Sequence, residues 1–201
     1  MLTDDRVRVA VFVSGGGTNL QALLDASKYG QMPSAEIALV IADRPDAGAL
    51  ERAASAGVVG AVVAPGKMFT ERLREVLSSH MIEMVVLAGY LQKIPEAIVD
   101  RYEGRMINIH PSLLPKFGGK GWYGLRVHRG VLEQGEKATG ATVHVVTAEF
   151  DDGPIILQKS VDVRDGDTPE SLQERVKVEA EWQILPAATE QVAAEIVAGE
   201  R

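Results

Sequence analysis

Val7-Arg8-Val9-Ala10-Val11-Phe12-Val13-Ser14-Gly15-Gly16-Gly17-Thr18-Asn19-Leu20-Gln21 is the stretch whose reading decides the fold. Its first seven residues form an almost unbroken apolar run, the signature of a strand buried on both faces. Ser14 and three glycines then make a tight turn, and Thr18 or Asn19 opens a helical pattern that continues to about Tyr29. A buried strand leading through a glycine turn into a helix is the first half of a βαβ unit. The same alternation recurs along the first half of the chain. Strands are expected at 36–42, 58–63, 84–88 and 105–110, and helices near 47–56, 68–80 and 95–100. Right-handed crossovers between such strands give a doubly wound, Rossmann-like sheet.

The second half changes character. Lys116 to Gly124 is a nine-residue loop with four glycines, and a helix is expected at 125–134. Two strands, 140–147 and 155–163, are joined by a connection short enough for an antiparallel pair. A further helix begins near Thr168-Pro169-Glu170-Ser171, with Asp167 or Thr168 as its cap. The expectation is one α/β domain over 1–201, with a mostly parallel central sheet and an antiparallel portion in its C-terminal half.

Composition narrows the function. A chain of 201 residues buries roughly 70% of its unfolded surface and needs no staple. It has no cysteine, which excludes disulfides, thiol chemistry and zinc-thiolate sites. The net charge of −7 weighs against a nucleic-acid partner. No apolar run nears the roughly 20 residues of a membrane span, and Met1-Leu2-Thr3-Asp4-Asp5-Arg6 lacks an export signal. A cytoplasmic location away from membranes is expected.

Three segments carry candidate chemistry. The Ser14–Asn19 turn offers backbone N–H groups at the start of a helix, the geometry of a phosphate cradle. It has neither the Lys-Ser/Thr of a P-loop nor the spacing of a dinucleotide fingerprint, which favours a single phosphate. The alternative is a plain strand-to-helix turn. In Asn108-Ile109-His110-Pro111-Ser112-Leu113-Leu114-Pro115, an amide and an imidazole stand two residues apart and so share one face of a strand. Pro111 ends the ladder. Both groups can bind one developing oxyanion, and His110 can move a proton; the alternative is a structural histidine and a turn asparagine. Asp151-Asp152-Gly153-Pro154 reads as an ordinary turn or as the carboxylate that charges His110. His144 has a packing or supporting role, while His80 and His128 are expected on helix surfaces. The four histidines lack metal-ligand spacing, so no metal is expected, and Ser14 has no hydrolase elbow around it.

Taken together and in this order, these segments resemble the phosphoribosylglycinamide (glycinamide ribonucleotide) formyltransferases, folate-dependent enzymes of purine biosynthesis. The likeness is carried by Val11 to Gln21, Val86 to Tyr90, Ile107 to Pro115, Gly140 to His144 and Asp151 to Ile156, and it covers about Val7 to Pro186. It implies formyl transfer from 10-formyltetrahydrofolate to the amine of the ribonucleotide, without a metal, by a monomer or homodimer. It implies catalytic roles for Asn108, His110 and Asp151. Gly17, Thr18, Asn19, Lys177 and Glu181 would hold the ribonucleotide. The spacing from Arg175 to Pro186 is one residue longer than the family pattern, which leaves Glu179 as the alternative to Glu181. Arg72, Leu87, Leu91, Gln92, Lys93, Ile94, Asn108, Thr147, Ala148, Glu149, Phe150 and Asp151 would line the folate site. Residues to about 105 would form a phosphate-binding half, and 106–201 a folate-binding and catalytic half.

One segment departs from the familiar form: Phe117-Gly118-Gly119-Lys120-Gly121-Trp122-Tyr123-Gly124. Trp122 and Tyr123 either close over folate or pack against the body, and Lys120 meets the substrate phosphate or the folate tail. The rival expectations are another folate-dependent formyl enzyme, a formyltetrahydrofolate hydrolase or a sugar-nucleotide formyltransferase, and a non-catalytic nucleotide-binding module. The hydrolase usually carries an extra domain for which 201 residues leave no room. A pure binder has no use for an amide, imidazole and carboxylate together.

Overall fold

The computed structural model describes residues 6–201; the export-signal reading rests on residues 1–5, which lie outside that range. The strands are β1 (Val7–Val13), β2 (Ala35–Ala42), β3 (Val59–Val62), β4 (Met84–Leu87), β5 (Met106–His110), β6 (Ala138–Val145) and β7 (Ile155–Asp162). The helices are α1 (Thr18–Lys28), α2 (Ala49–Ser55), α3 (Phe69–Ser79), α4 (Glu96–Arg101), α5 (Leu125–Glu133), α6 (Pro169–Val176) and α7 (Trp182–Val197). All seven strands form one sheet in the order β3-β2-β1-β4-β5-β6-β7. The first five run parallel, and β5-β6 and β6-β7 are antiparallel. The expected fold class is the observed one.

Why β1 is central follows from its two faces. Val7, Val9, Val11 and Val13 pack into one apolar layer with α1 and α7, while Ala10 and Phe12 pack into the opposite layer with α3 and α4. A strand apolar on both faces is stable only where helices cover both. The chain winds outward from β1 to β3, returns, and continues on the other side through β4 and β5. The C-terminal ends of β1 and β4 are therefore the switch point where a crevice must open.

The sheet ends on one side at β3, and Val59 and Val62 are exposed; an apolar run alone does not separate an edge strand from a central one.

The last helical segment contains the extra residue noted between Arg175 and Pro186. Thr168 caps α6 through a capping box with Ser171, and Lys177–Glu181 then forms a single π-helical turn before α7. A wide turn absorbs one inserted residue without breaking the helix, and such turns concentrate at functional sites.

Candidate active site

Register brings the catalytic candidates together. On β5, Ile107 and Ile109 face the core layer, so Asn108 and His110 project from the opposite face at the strand's C-terminal end. Antiparallel pairing with β6 sets Asn108 directly across from His144. The Asn108 amide nitrogen lies 3.1 Å from His144 Nε2 and 3.4 Å from Asp151 Oδ1. Asp151 comes from the β6–β7 connection and adopts φ 54°, a left-handed conformation that Asp and Asn tolerate better than other side chains. Gly153 holds that connection against the strand. A Cβ there would stand 1.8 Å from the Val145 carbonyl oxygen.

Asp151 is the hub of the cluster. Its Oδ2 accepts from the Gly119 N–H at 2.9 Å and lies 3.5 Å from His110 Nδ1, and its Oδ1 lies 3.4 Å from His144 Nε2. Burial alone would raise its pKa; His144, His110 and the Gly119 N–H outweigh that and hold it below the usual carboxylate value. His110 Nε2 lies 2.7 Å from the Phe117 carbonyl oxygen, so that nitrogen carries a proton. Both ring nitrogens thus face acceptors, which favours imidazolium. Burial opposes this and dominates: the His110 pKa is lowered, with Asp151 and the Phe117 carbonyl pulling it up and His144 adding to the depression. The 3.5 Å separation at Nδ1 is longer than a formed hydrogen bond, so that nitrogen is not committed to Asp151 and remains able to serve a reacting group.

These groups line a cleft of about 480 Å³. Part of its wall is the glycine turn, with Gly17, Thr18 and Asn19, together with Lys177 and Glu181 from the π turn. Gly17 has φ 73°, and a Cβ on it would stand 2.7 Å from Ala49 Cβ, so no other residue fits. Asn19 Nδ2 donates to Glu181 Oε2 at 2.6 Å, and burial raises the Glu181 pKa against the pull of Asn19 and Lys177. Glu179 instead is half-buried and pairs with Arg164 at 3.5 Å; of the two glutamates, Glu181 lines the cleft. The cleft is also lined by Leu87, Leu91, Gln92, Lys93 and Ile94 from the β4 exit and by Thr147, Ala148, Glu149 and Phe150. Lys93 Nζ lies 5.6 Å from the Phe150 ring centroid. Arg72 is exposed on α3 and is absent from the cleft wall.

The glycine-aromatic loop forms part of the same wall through Gly119, Lys120, Trp122 and Tyr123. Trp122 packs edge-on to Phe117 at 5.3 Å and against the main core, so it is a body residue that also shows one side to the cleft. Tyr123 stays half-exposed beneath the Arg126 guanidinium, 5.3 Å from its ring.

The reading of one histidine needs correction, and that of another becomes specific. His128 is not on the surface: it is fully buried on α5, and neither ring nitrogen has a hydrogen-bond partner. Its helix buries Val127, Gly130 and Val131 beside it, and burial, with the Lys177 and His110 charges, depresses its pKa to about 4. His144 belongs to the cluster rather than merely packing near it. The signal that would have found it is the β5–β6 register, which places it opposite Asn108. A further network was not foreseen. Ser14 Oγ and Gln92 Nε2 both donate to Asp43 Oδ2 at 2.9 Å, and the Leu91 N–H donates to Ser14 Oγ at 2.9 Å. It ties the glycine turn to the adjoining Leu91–Gln92 segment of the cleft wall. Among the described residues, no group of three or more His, Asp or Glu is placed to hold a metal ion.

Residues 7–189 match the formyl transferase family. The chain belongs to that family. Within it, the likeness runs to the phosphoribosylglycinamide formyltransferases. Glycinamide ribonucleotide transformylase 1 of Symbiobacterium toebii shares the fold with a TM-score of 0.87 and 42% identity, over 94% of this chain and 89% of that one. The chloroplastic phosphoribosylglycinamide formyltransferase of Arabidopsis thaliana is 40% identical over 85% of this chain and 60% of its own length. The trifunctional purine biosynthetic protein adenosine-3 of Gallus gallus is 41% identical over 94% of this chain and 19% of its own length. The chain thus spans about three fifths of the plant relative and about a fifth of the bird protein.

Proposed function

We propose that the protein transfers the formyl group of 10-formyltetrahydrofolate to the amine of 5′-phosphoribosylglycinamide, giving formylglycinamide ribonucleotide and tetrahydrofolate in purine biosynthesis. The observation that carries this reading is the position of Asn108, His110 and Asp151. They share one continuous cleft with a glycine turn suited to one phosphate and with the Leu87–Ile94 and Thr147–Phe150 segments. A two-substrate transfer needs such a cleft, with a recognition surface for each substrate and the reacting groups where they meet.

The amine lone pair attacks the formyl carbon, and the carbonyl π pair becomes an oxyanion. The Asn108 amide N–H groups, aimed at His144 and Asp151 in the free site, turn to that oxyanion; one such donor contributes a factor of about 10²–10³ in turnover. Asp151 stabilises His110 as imidazolium and, through water, takes the proton released by the attacking amine. Collapse of the intermediate breaks the bond from the formyl carbon to folate N10. The proton from His110 ends on that nitrogen, and the proton held by Asp151 passes to His110, so charge and atoms balance and both groups return to their starting states.

The division of labour follows the cleft. Gly17, Thr18, Asn19, Lys177 and Glu181 hold the ribonucleotide. Leu87, Leu91 to Ile94 and Thr147 to Phe150 hold the folate, so the halves 1–105 and 106–201 both contribute to each substrate's surroundings. The proposal includes a cytoplasmic location and a monomer or homodimer. Among the described residues, no helix is long and apolar enough to cross a membrane. The test is consumption of 10-formyltetrahydrofolate followed by absorbance with and without phosphoribosylglycinamide. Consumption that depends on the amine substrate supports the reading, and equal consumption without it replaces the transferase with a hydrolase.

A further inference from the structure

We infer that Arg52, outside the cleft, is the positioning residue that turns the glycine loop's N–H groups toward the substrate phosphate. The inference rests on the phosphate reading of that loop. Arg52 lies on α2 and lines a neighbouring cavity between α1, α2 and α7, not the main cleft. Its Nε donates to the Gly16 carbonyl at 2.7 Å, and one terminal nitrogen donates to Gln21 Oε1 at 2.9 Å. One residue earlier in the loop, the Gly15 carbonyl accepts from the Ala49 N–H at 3.2 Å.

Two successive carbonyls are therefore held toward α2. In a planar trans peptide the carbonyl and the following N–H point in opposite directions. Anchoring the Gly15 and Gly16 carbonyls to α2 turns the Gly16 and Gly17 N–H groups away from it, toward the cleft that both residues line. Neither N–H has an acceptor among the described residues. Two adjacent N–H groups held parallel form an anion-binding nest, and their orientation is fixed before substrate arrives. The guanidinium suits the task because its planar fork holds the Gly16 carbonyl and the Gln21 amide at once, which a lysine ammonium on a flexible stem does not reproduce.

The test compares phosphoribosylglycinamide with its dephosphorylated riboside as formyl acceptors, in the wild type and in Arg52→Gln and Arg52→Lys. The wild type is expected to prefer the phosphorylated substrate strongly in kcat/KM. Both variants are expected to lose about 10-fold or more of that preference, as misdirected hydrogen bonds to a charged group would cost. The loss appears in KM for the ribonucleotide, with a smaller change in kcat and an unchanged KM for the folate. Gln21→Ala, which frees only the other side of the guanidinium, shifts the preference the same way by a smaller factor. If Arg52→Lys keeps the wild-type preference while Arg52→Gln loses it, charge rather than loop geometry is at work and the inference is wrong. A full preference in both variants also overturns it, alone. A wild type without preference overturns the phosphate reading and the inference together.

Discussion

Replacing Asp151 by Asn removes one charge from the hub of the cluster and little else. Asn tolerates the left-handed φ of 54° and keeps an oxygen for the Gly119 N–H, so the backbone and the 117–124 loop hold their places. What is lost is the carboxylate 3.5 Å from His110 Nδ1. At an effective dielectric of about 20, two unit charges at that distance attract by about 5 kcal/mol. That is an upper value for the support given to imidazolium, since the carboxylate retains some contact with solvent. Partial screening leaves an expected fall in kcat of about 10²–10³-fold. The pH profile supplies a second, independent reading. Asp151 raises the His110 pKa against the depression caused by burial, so its neutralisation lowers that pKa further. Proton donation needs imidazolium, which exists below the pKa. The limb on which activity falls as pH rises must therefore move to lower pH in the variant. Steady-state kcat with both substrates saturating, measured across pH, reads both effects. A kcat within a few-fold of wild type, or an unmoved limb, refutes the pairing of Asp151 with His110.

Two other outcomes follow from the same geometry. Asn108→Ala removes the amide donor between His144 and Asp151 and is expected to lower kcat about 100-fold, with thermal unfolding little changed; near-normal turnover removes Asn108 from the oxyanion role. His128 tests the buried side of α5. Its folded pKa of about 4 lies below the ordinary 6.5, so the fold refuses a proton that the unfolded chain accepts. The stability that this neutral ring contributes is fully present above pH 6.5 and is lost as pH falls toward 4. The loss is about 3 kcal/mol. Urea denaturation of wild type and His128→Leu at several pH values should show the wild type losing that amount relative to the variant between about pH 7 and pH 4; parallel curves contradict a neutral buried ring.

How much of this was legible in the chain depends on the range of the interactions. β1 and the glycine turn could be read directly, because apolar runs and turn residues are local signals, and they imposed the parallel sheet and its crevice. Asn108 and His110 were visible as a pair because strand alternation is also local. Asp151 was legible as a turn or as a carboxylate for His110, and the resemblance favoured the second. His144, Arg52 and the Ser14–Asp43–Gln92 network were out of reach for one reason. Each acts on a residue 29 or more positions away, through register or helix docking that no local pattern encodes. His128 was misplaced because the buried arc of a helix that also carries Arg126 and Arg129 depends on what packs over it. The Glu179–Glu181 ambiguity shows the same limit on a smaller scale: one extra residue rotates a helix face by about 100°, and only the observed π turn says where that rotation is absorbed.

The central claim is that Asn108, His110 and Asp151 pass a formyl group from one substrate to the other within the cleft. The most direct measurement uses 10-formyltetrahydrofolate carrying carbon-13 in its formyl group, with phosphoribosylglycinamide as acceptor and mass spectrometry of all products. The account predicts the label in formylglycinamide ribonucleotide, mole for mole with tetrahydrofolate formed. Label recovered as formate, with the ribonucleotide amine unmodified, would contradict it.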